Sequence, residues 1–336
     1  MFIDAYSHMF HKTYIARLND IGGSWATEKV DEAEGIIRRK PQIIDVEERL
    51  AQLYRNEIDF QVVTPPHLLY SCLLPDEPAT QIALAQIIND GMARLMEESK
   101  GRLIGCGTIS PAGFEQGGWK EMERAIKVLG LKAMSLPSNY LGIPLDAPEF
   151  LPIWEKASEM EVPIYIHPND PVSHKDRSYE AEYDLMHNFG WPFETVLALS
   201  RLVFSGIMER HPSLKIISHH LGGGIPFFWE RTDETYSTEG ERQTISLILT
   251  KPLFEYFSLF YYDTAVGGSS AAIRCAYDVF GADRLVFATD APFGPGTGEN
   301  RLATYPKAIK SLNLPEIDNG KILAGNIQGV LNLDLR

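Results

Sequence analysis

The chain has 336 residues, 44% of them hydrophobic, which suits one large enzyme domain better than a small module or two full domains. Its 31 basic and 45 acidic residues leave a net charge of −14, whereas a nucleic-acid binder would show a basic surface. No run of 18 apolar residues could cross a membrane, and the opening Met-Phe-Ile-Asp-Ala lacks the basic start of a secretory signal.

In chain order, the first short apolar run, 2–8, reads as a strand ending at His8. A long mixed segment, 9–45, with Gly22-Gly23-Ser24 inside it, looks like an insertion. A helix is predicted over Val46–Asn56, a strand over 59–66, a helix over Ala79–Glu98 and a strand over 103–110. Gly118–Val128 reads as helix, 132–138 as strand, Glu149–Met160 as helix and 163–168 as a strand carrying His167. The polar and aromatic segment 169–192 follows, then a helix over Phe193–Arg210. The last strands, 215–220, 257–265 and 284–290, bring His220 and Asp290, with a helix over Ser269–Phe280 and a tight Gly/Pro loop at 292–298. Eight strands separated by helices predict a single domain over 1–336, a (β/α)8 TIM barrel with an insertion after strand 1. Cys72, Cys106 and Cys275 form no Cys-x-x-Cys pair, and Cys106 and Cys275 read as small core residues. An odd count argues against a disulfide framework and for a reducing cytoplasm.

His8, His167, His220 and Asp290 each end an apolar run. In such barrels the C-terminal edge of the strands is where chemistry is done, so four polar strand ends converging there make an active site. Side chains alternate along a strand, so Asp4, Tyr6 and His8 are expected on one face. His8, His167 and Asp290 make a three-ligand set for one divalent ion, zinc or manganese, with a position left for water. His220 precedes Leu-Gly-Gly-Gly, where glycines let a substrate approach the backbone, and reads as an acid–base group. His219 is expected to point the other way and to be structural. His211 reads as a surface residue, while His67, His174 and His187 lie in loops that could reach a substrate.

The sequence resembles the amidohydrolase-related metal-dependent decarboxylases, the family of the aminocarboxymuconate-semialdehyde and γ-resorcylate decarboxylases. The resemblance covers nearly the whole chain. It is carried by Ile3-Asp4-Ala5-Tyr6-Ser7-His8, by the run from Pro163 to Pro168, and by His211-Pro212-Ser213-Leu214-Lys215. His220-Leu-Gly-Gly-Gly-Ile-Pro226, Arg231 and Thr289-Asp290-Ala291-Pro292 complete it. It implies His8 and His167 as metal ligands, Asp290 as the metal-bound carboxylate and His220 as the catalytic histidine. It further implies a homodimer in which Arg231 binds a substrate carboxylate in the neighbouring subunit. The chain departs from the pattern at Tyr6, where the family usually has His or Glu, and a neutral phenol is a weak ligand. Lys132 starts strand 4 rather than ending it, which favours a mononuclear centre.

The activity implied is non-oxidative decarboxylation of a small aromatic or muconate-type carboxylic acid. His220 and Asp290 would handle the proton, Arg231 would anchor a carboxylate, and Tyr6, Phe189, Trp191 and Phe293 would flank a planar ring. The same ligands would also serve hydrolysis of a lactone or amide. A catalytically decayed metal-binding protein is the reading from another class, with Tyr6 as its mark. Joint retention of His8, His167, His220 and Asp290 argues against it.

Overall fold

The structure is a computed structural model that describes residues 1–21, 23–66, 77–170, 182–236 and 248–335. His67, Cys72 and His174 lie outside the described residues. Eight strands form one parallel sheet: β1 (Ile3–His8), β2 (Phe60–Thr64), β3 (Leu103–Thr108), β4 (Ala133–Pro137), β5 (Ile164–His167), β6 (Ile216–Ser218), β7 (Tyr261–Asp263) and β8 (Leu285–Val286). They lie in sequence order, and helices separate them. The sheet closes on itself, because Ala5 N donates to Phe287 O (2.7 Å), Asp290 N to Tyr6 O (2.9 Å) and His8 N to Ala291 O (2.7 Å). This is the (β/α)8 barrel expected, with β8 continued past Val286 by those bonds.

Alternation along the strands sorts the core into two clusters. Val62, Ile104, Ala133, Tyr165, Ile217 and Val286 fill the barrel interior, while Val63, Leu103, Ile164, Ile166, Ile216 and Leu285 pack against the helices. At the start of the strands, Ile327, Val330 and Leu331 from the C-terminal segment join the interior cluster beside Ile3 and Phe60. That end is plugged, so chemistry is left to the other.

The expected insertion folds as two helices, Thr13–Ile21 and Ser24–Arg39, which bury Tyr14, Leu18, Ala33 and Ile36. The next helix, Val46–Arg55, starts where the Asp45 side chain accepts from Glu48 N at 2.9 Å. Lys40 Nζ donates to the carbonyls of Gly294 (2.6 Å) and Gly296, and Gln42 Nε2 to Thr297 O (2.8 Å). The insertion therefore holds the loop that follows β8. Cys106 is buried as expected, but Cys275 is only half-buried; both are free thiols.

One strand departs from simple alternation. In β1, Asp4 pairs with Gln61 but Ser7 pairs with Val63, so one extra residue is bulged into the strand. Asp4 does not share the face of Tyr6 and His8 as expected. Its carboxylate accepts from Gln61 Nε2 (2.7 Å), Thr289 N (2.9 Å) and Thr289 Oγ1 (2.5 Å). Buried Arg49 donates to Gln61 Oε1 (2.8 Å) and His8 O (3.3 Å). This network clamps β1 to β2 and to the last strand, directly behind His8 and Asp290.

Burial pushes the Asp4 carboxyl up to about 6 against the pull of these hydrogen bonds. The folded state then holds a proton that the unfolded chain has released, so Asp4's contribution to stability falls as pH rises from about 4 to about 6. Above that range the Thr289 hydroxyl serves a full charge. Thr289→Val should cost about 1.5–3 kcal/mol at pH 7, the range for hydrogen bonds to charged groups, and less at pH 5. Chemical denaturation at the two pH values measures the difference; an equal cost at both would place the charge elsewhere.

Candidate metal centre

His8 closes β1, His167 closes β5, and Asp290 follows β8. His8 Nδ1 donates to Pro65 O (3.3 Å), with Thr64 Oγ1 3.1 Å away, and His167 Nδ1 donates to Pro168 O (2.6 Å). A carbonyl oxygen can only accept, so Nδ1 carries the proton on each ring. Nε2 is left as the nitrogen able to bind a metal. The two rings lie 5.5 Å apart.

The third histidine of the cluster is one the sequence reading set aside. β6 ends at Ser218, and His220 and Leu221 then take left-handed backbone angles, φ 53° and 51°. This bend ends the strand alternation that would have sent His219 away from His220. Their rings instead lie 3.7 Å apart, and His219 stands 5.1 Å from His167 and 4.0 Å from Tyr6. His219 Nδ1 bonds the buried Asp263 carboxylate, whose other oxygen accepts from the backbone N–H groups of His220 and Ala265, both at 3.0 Å. His219 was expected to be structural and Asp263 was not considered, although the doubled His219-His220 and the acidic end of β7 were visible signals.

Asp290, also left-handed at φ 61°, is the focus. Its Oδ1 lies 3.2 Å from His8 Nε2 and 3.6 Å from His219 Nε2, and its Oδ2 accepts from Arg301 Nη1 at 2.8 Å. With Nδ1 protonated, each Nε2 turns a lone pair toward a carboxylate oxygen. Such facing lone pairs call for a proton or a metal ion between them, so the donor set fits a bound cation. Burial alone would raise the Asp290 carboxyl, yet where a proton fills that place the charged His219 and His8 rings hold it well below the usual carboxylate range. Burial would likewise lower His219, but the Asp263 carboxylate, with Asp290, carries it up to about 9. Burial, helped by the adjacent His219, holds His220 well below its ordinary value, and its Nδ1 has no protein partner. Three left-handed non-glycine residues at one site are backbone strain concentrated where the side chains converge.

Two aromatic rings flank the cluster. Trp191 lies 5.4 Å from His167, fixed by its Nε1 donating to Asp170 Oδ1 (2.6 Å), with His187 4.0 Å away on its other side. Phe293 lies 5.1 Å from His8. Tyr6 is fully buried, 5.1 Å from His8 and 6.1 Å from His167. Arg231 is not brought to this cluster within one chain. It is exposed on the helix Trp229–Tyr236 and lines a separate hollow with Phe189, Phe193 and Phe228. Arg301 is the cation the fold delivers to Asp290, and the sequence reading missed it. Lys132 is exposed ahead of β4, away from the strand ends. His211 is half-buried rather than fully on the surface.

The amidohydrolase family model matches residues 3–333. The chain belongs to the amidohydrolase family. Among curated relatives, this amidohydrolase is 29% identical to the 2-amino-3-carboxymuconate-6-semialdehyde decarboxylase of Dictyostelium discoideum over 86% of this chain and 77% of that one. It is 28% identical to the γ-resorcylate decarboxylase of a Polaromonas species over 74% of this chain and 76% of that one. Its fold matches the 5-carboxyvanillate decarboxylase of Novosphingobium aromaticivorans, solved with manganese and 4-hydroxy-3-methoxy-5-nitrobenzoic acid. That match has a TM-score of 0.80 and 23% identity, over 99% of this chain and 96% of that chain.

The glycines after His220 answer to the chain itself. A Cβ on Gly223 (φ 73°) would stand 2.0 Å from Pro192 O, and one on Gly222 (φ 68°) would stand 2.7 Å from the Tyr262 ring. They let the β6 loop seat against the start of the helix Trp191–Phe204 at Gly223 and against Tyr262 of β7 at Gly222. Gly223→Ala should destabilise the amidohydrolase by at least about 1–3 kcal/mol, the cost of a strained left-handed residue, because the atom it meets is backbone. Thermal unfolding tests this, and an unchanged midpoint would show that the loop has room to shift.

Proposed function

We propose that this amidohydrolase is a metal-dependent, non-oxidative decarboxylase of a small aromatic or muconate-type carboxylic acid. The observation that carries the reading is the set of Nδ1-anchored histidines at the strand ends, two of them, His8 and His219, facing one ionised carboxylate, in a chain whose curated relatives are decarboxylases. His8, His167 and Asp290 would hold one divalent ion. Imidazole donors suit zinc, and manganese is bound in the 5-carboxyvanillate relative. A bound ion supplies positive charge for the acid's oxygens and offsets the negative charge that builds as the carbon–carbon bond breaks.

The protein's own groups do the rest. Asp290, kept ionised, stays available as a ligand and proton acceptor. His220 is the proton carrier, since its Nδ1 is unpartnered and its burial disfavours the charged ring, so that a proton placed on it is readily given up. In the balanced reaction the carboxylate leaves as CO2, its bonding pair stays on the ring carbon, and a proton delivered through His220 replaces it. Trp191 beside His167 and Phe293 beside His8 would flank a planar ring, with Tyr6 buried against His8 and His219. The free thiols of Cys106 and Cys275 agree with a cytoplasmic enzyme.

A panel of hydroxybenzoates and muconate-type acids, offered to manganese- or zinc-loaded protein with CO2 release as readout, tests the activity. No release from any member would overturn the decarboxylase reading. His220→Asn should keep metal content and lower kcat by about 10²–10⁴-fold, as loss of a general acid–base group does. Wild-type turnover in that variant would move proton transfer to another residue.

The enzyme is proposed to act as a homodimer, with Arg231 serving the partner's substrate. Support comes from the exposed aromatic face around it: Phe189 is 72% exposed, Phe193 57% and Phe228 49%. Patches of this kind on a soluble surface mark association sites. Arg231→Ala should raise KM for the acid several-fold without loss of metal, because a guanidinium binds a carboxylate in two places. Sedimentation as a monomer with full activity would refute the shared site.

A further inference from the structure

We infer that His219, oriented by Asp263, supplies the imidazole ligand that the first strand lacks. The inference rests on the metal site proposed above and names its fourth protein donor. A site with only His8, His167 and Asp290 would be one donor short where β1 carries Tyr6. The Tyr6 ring packs at 4.0 Å against the imidazole of His219, so the residue that fails as a donor props the one that serves.

Three features of His219 are those of a ligand. Its Nδ1 proton goes to a buried carboxylate, Asp263, which is itself fixed by two backbone N–H groups. A carboxylate behind a histidine fixes its tautomer, raises its basicity and turns Nε2 to the metal. His219 Nε2 is fully buried and stands 3.6 Å from Asp290 Oδ1, too far for a hydrogen bond, with no other hydrogen-bond partner. Leaving such an atom empty costs stability unless something else occupies its lone pair.

The spacing also fits. Two donors bound at about 2.0–2.1 Å to a common tetrahedral ion stand about 3.3–3.4 Å apart. His8 Nε2 and His219 Nε2 lie 3.2 Å and 3.6 Å from Asp290 Oδ1. The donor atoms of His219, His220 and Asp290 all fall within 4.8 Å of one another, the one such group among the described residues, so His8 and His167 would draw in as an ion binds. His220 Nδ1, by contrast, has no carboxylate behind it, and its backbone N–H rather than its ring is what Asp263 holds. The paired histidines thus divide the work, His219 for the ion and His220 for the proton.

The test measures metal rather than turnover. Wild type, His219→Ala, Asp263→Asn and the double variant Tyr6→His/His219→Ala are titrated with Mn²⁺ and Zn²⁺ against a chelator. The visible spectrum of each Co²⁺ form reports its coordination. His219→Ala should weaken binding by more than tenfold and alter the cobalt spectrum. Asp263→Asn should weaken it about 10–100-fold, as loss of a supporting partner does. Tyr6→His in the His219→Ala background should restore affinity by returning the donor to the first strand. Wild-type affinity and an unchanged cobalt spectrum in His219→Ala would overturn the inference. Should that variant fail to fold, the same null result in Asp263→Asn would overturn it. Metal-loaded wild type that releases no CO2 while His219→Ala loses metal would sink the decarboxylase reading and leave this inference standing.

Discussion

Asp290 is one carboxylate held by three cationic or cation-seeking groups from distant parts of the chain. His8 from β1 and His219 from the end of β6 address one oxygen, and Arg301 from the helix beyond β8 holds the other. A buried carboxylate with no such company would take up a proton and lose its charge. The left-handed backbone at Asp290, the tie between Asp4 and Thr289, and the hold of the insertion on the following loop all serve to fix this group. Barrel closure and site assembly are therefore one event, because the hydrogen bonds that join β8 to β1 flank Asp290 on both sides.

The barrel was legible because buried parallel strands are short apolar runs and the helices between them carry a different period. His8, His167, His220 and Asp290 were legible for a related reason: a polar residue ending an apolar run is conspicuous. What the sequence hid was whatever depended on a local break in period. The bulge in β1 moved Asp4 off the face of Tyr6, and the left-handed turn at His220 brought His219 into the cluster. A pattern of period two has no way to show either break. Arg301 was hidden differently, since a helical arginine looks the same whether it meets solvent or a strand end eleven residues upstream.

The segment after β1 changes meaning once folded. By sequence it was a mixed stretch without a clear element; in the structure its two helices have their own buried face, and its end holds the loop after β8 through Lys40 and Gln42. A substitution there acts on Phe293 and Asp290 without touching either. The loops after the first and last strands are thus mechanically joined, and segments that look free to diverge are not independent.

The separation of Asp4 and Thr289 by 285 residues has a consequence for synthesis. The first strand leaves the ribosome early, carrying a carboxylate whose hydroxyl partner has not yet been made. At about 5–20 residues per second, roughly 15–60 s pass before that partner is polymerised. During that interval β1 has one unpaired edge and His8 has no Asp290 to face. The histidines at the ends of the first, fifth and sixth strands therefore meet Asp290 only in a finished barrel.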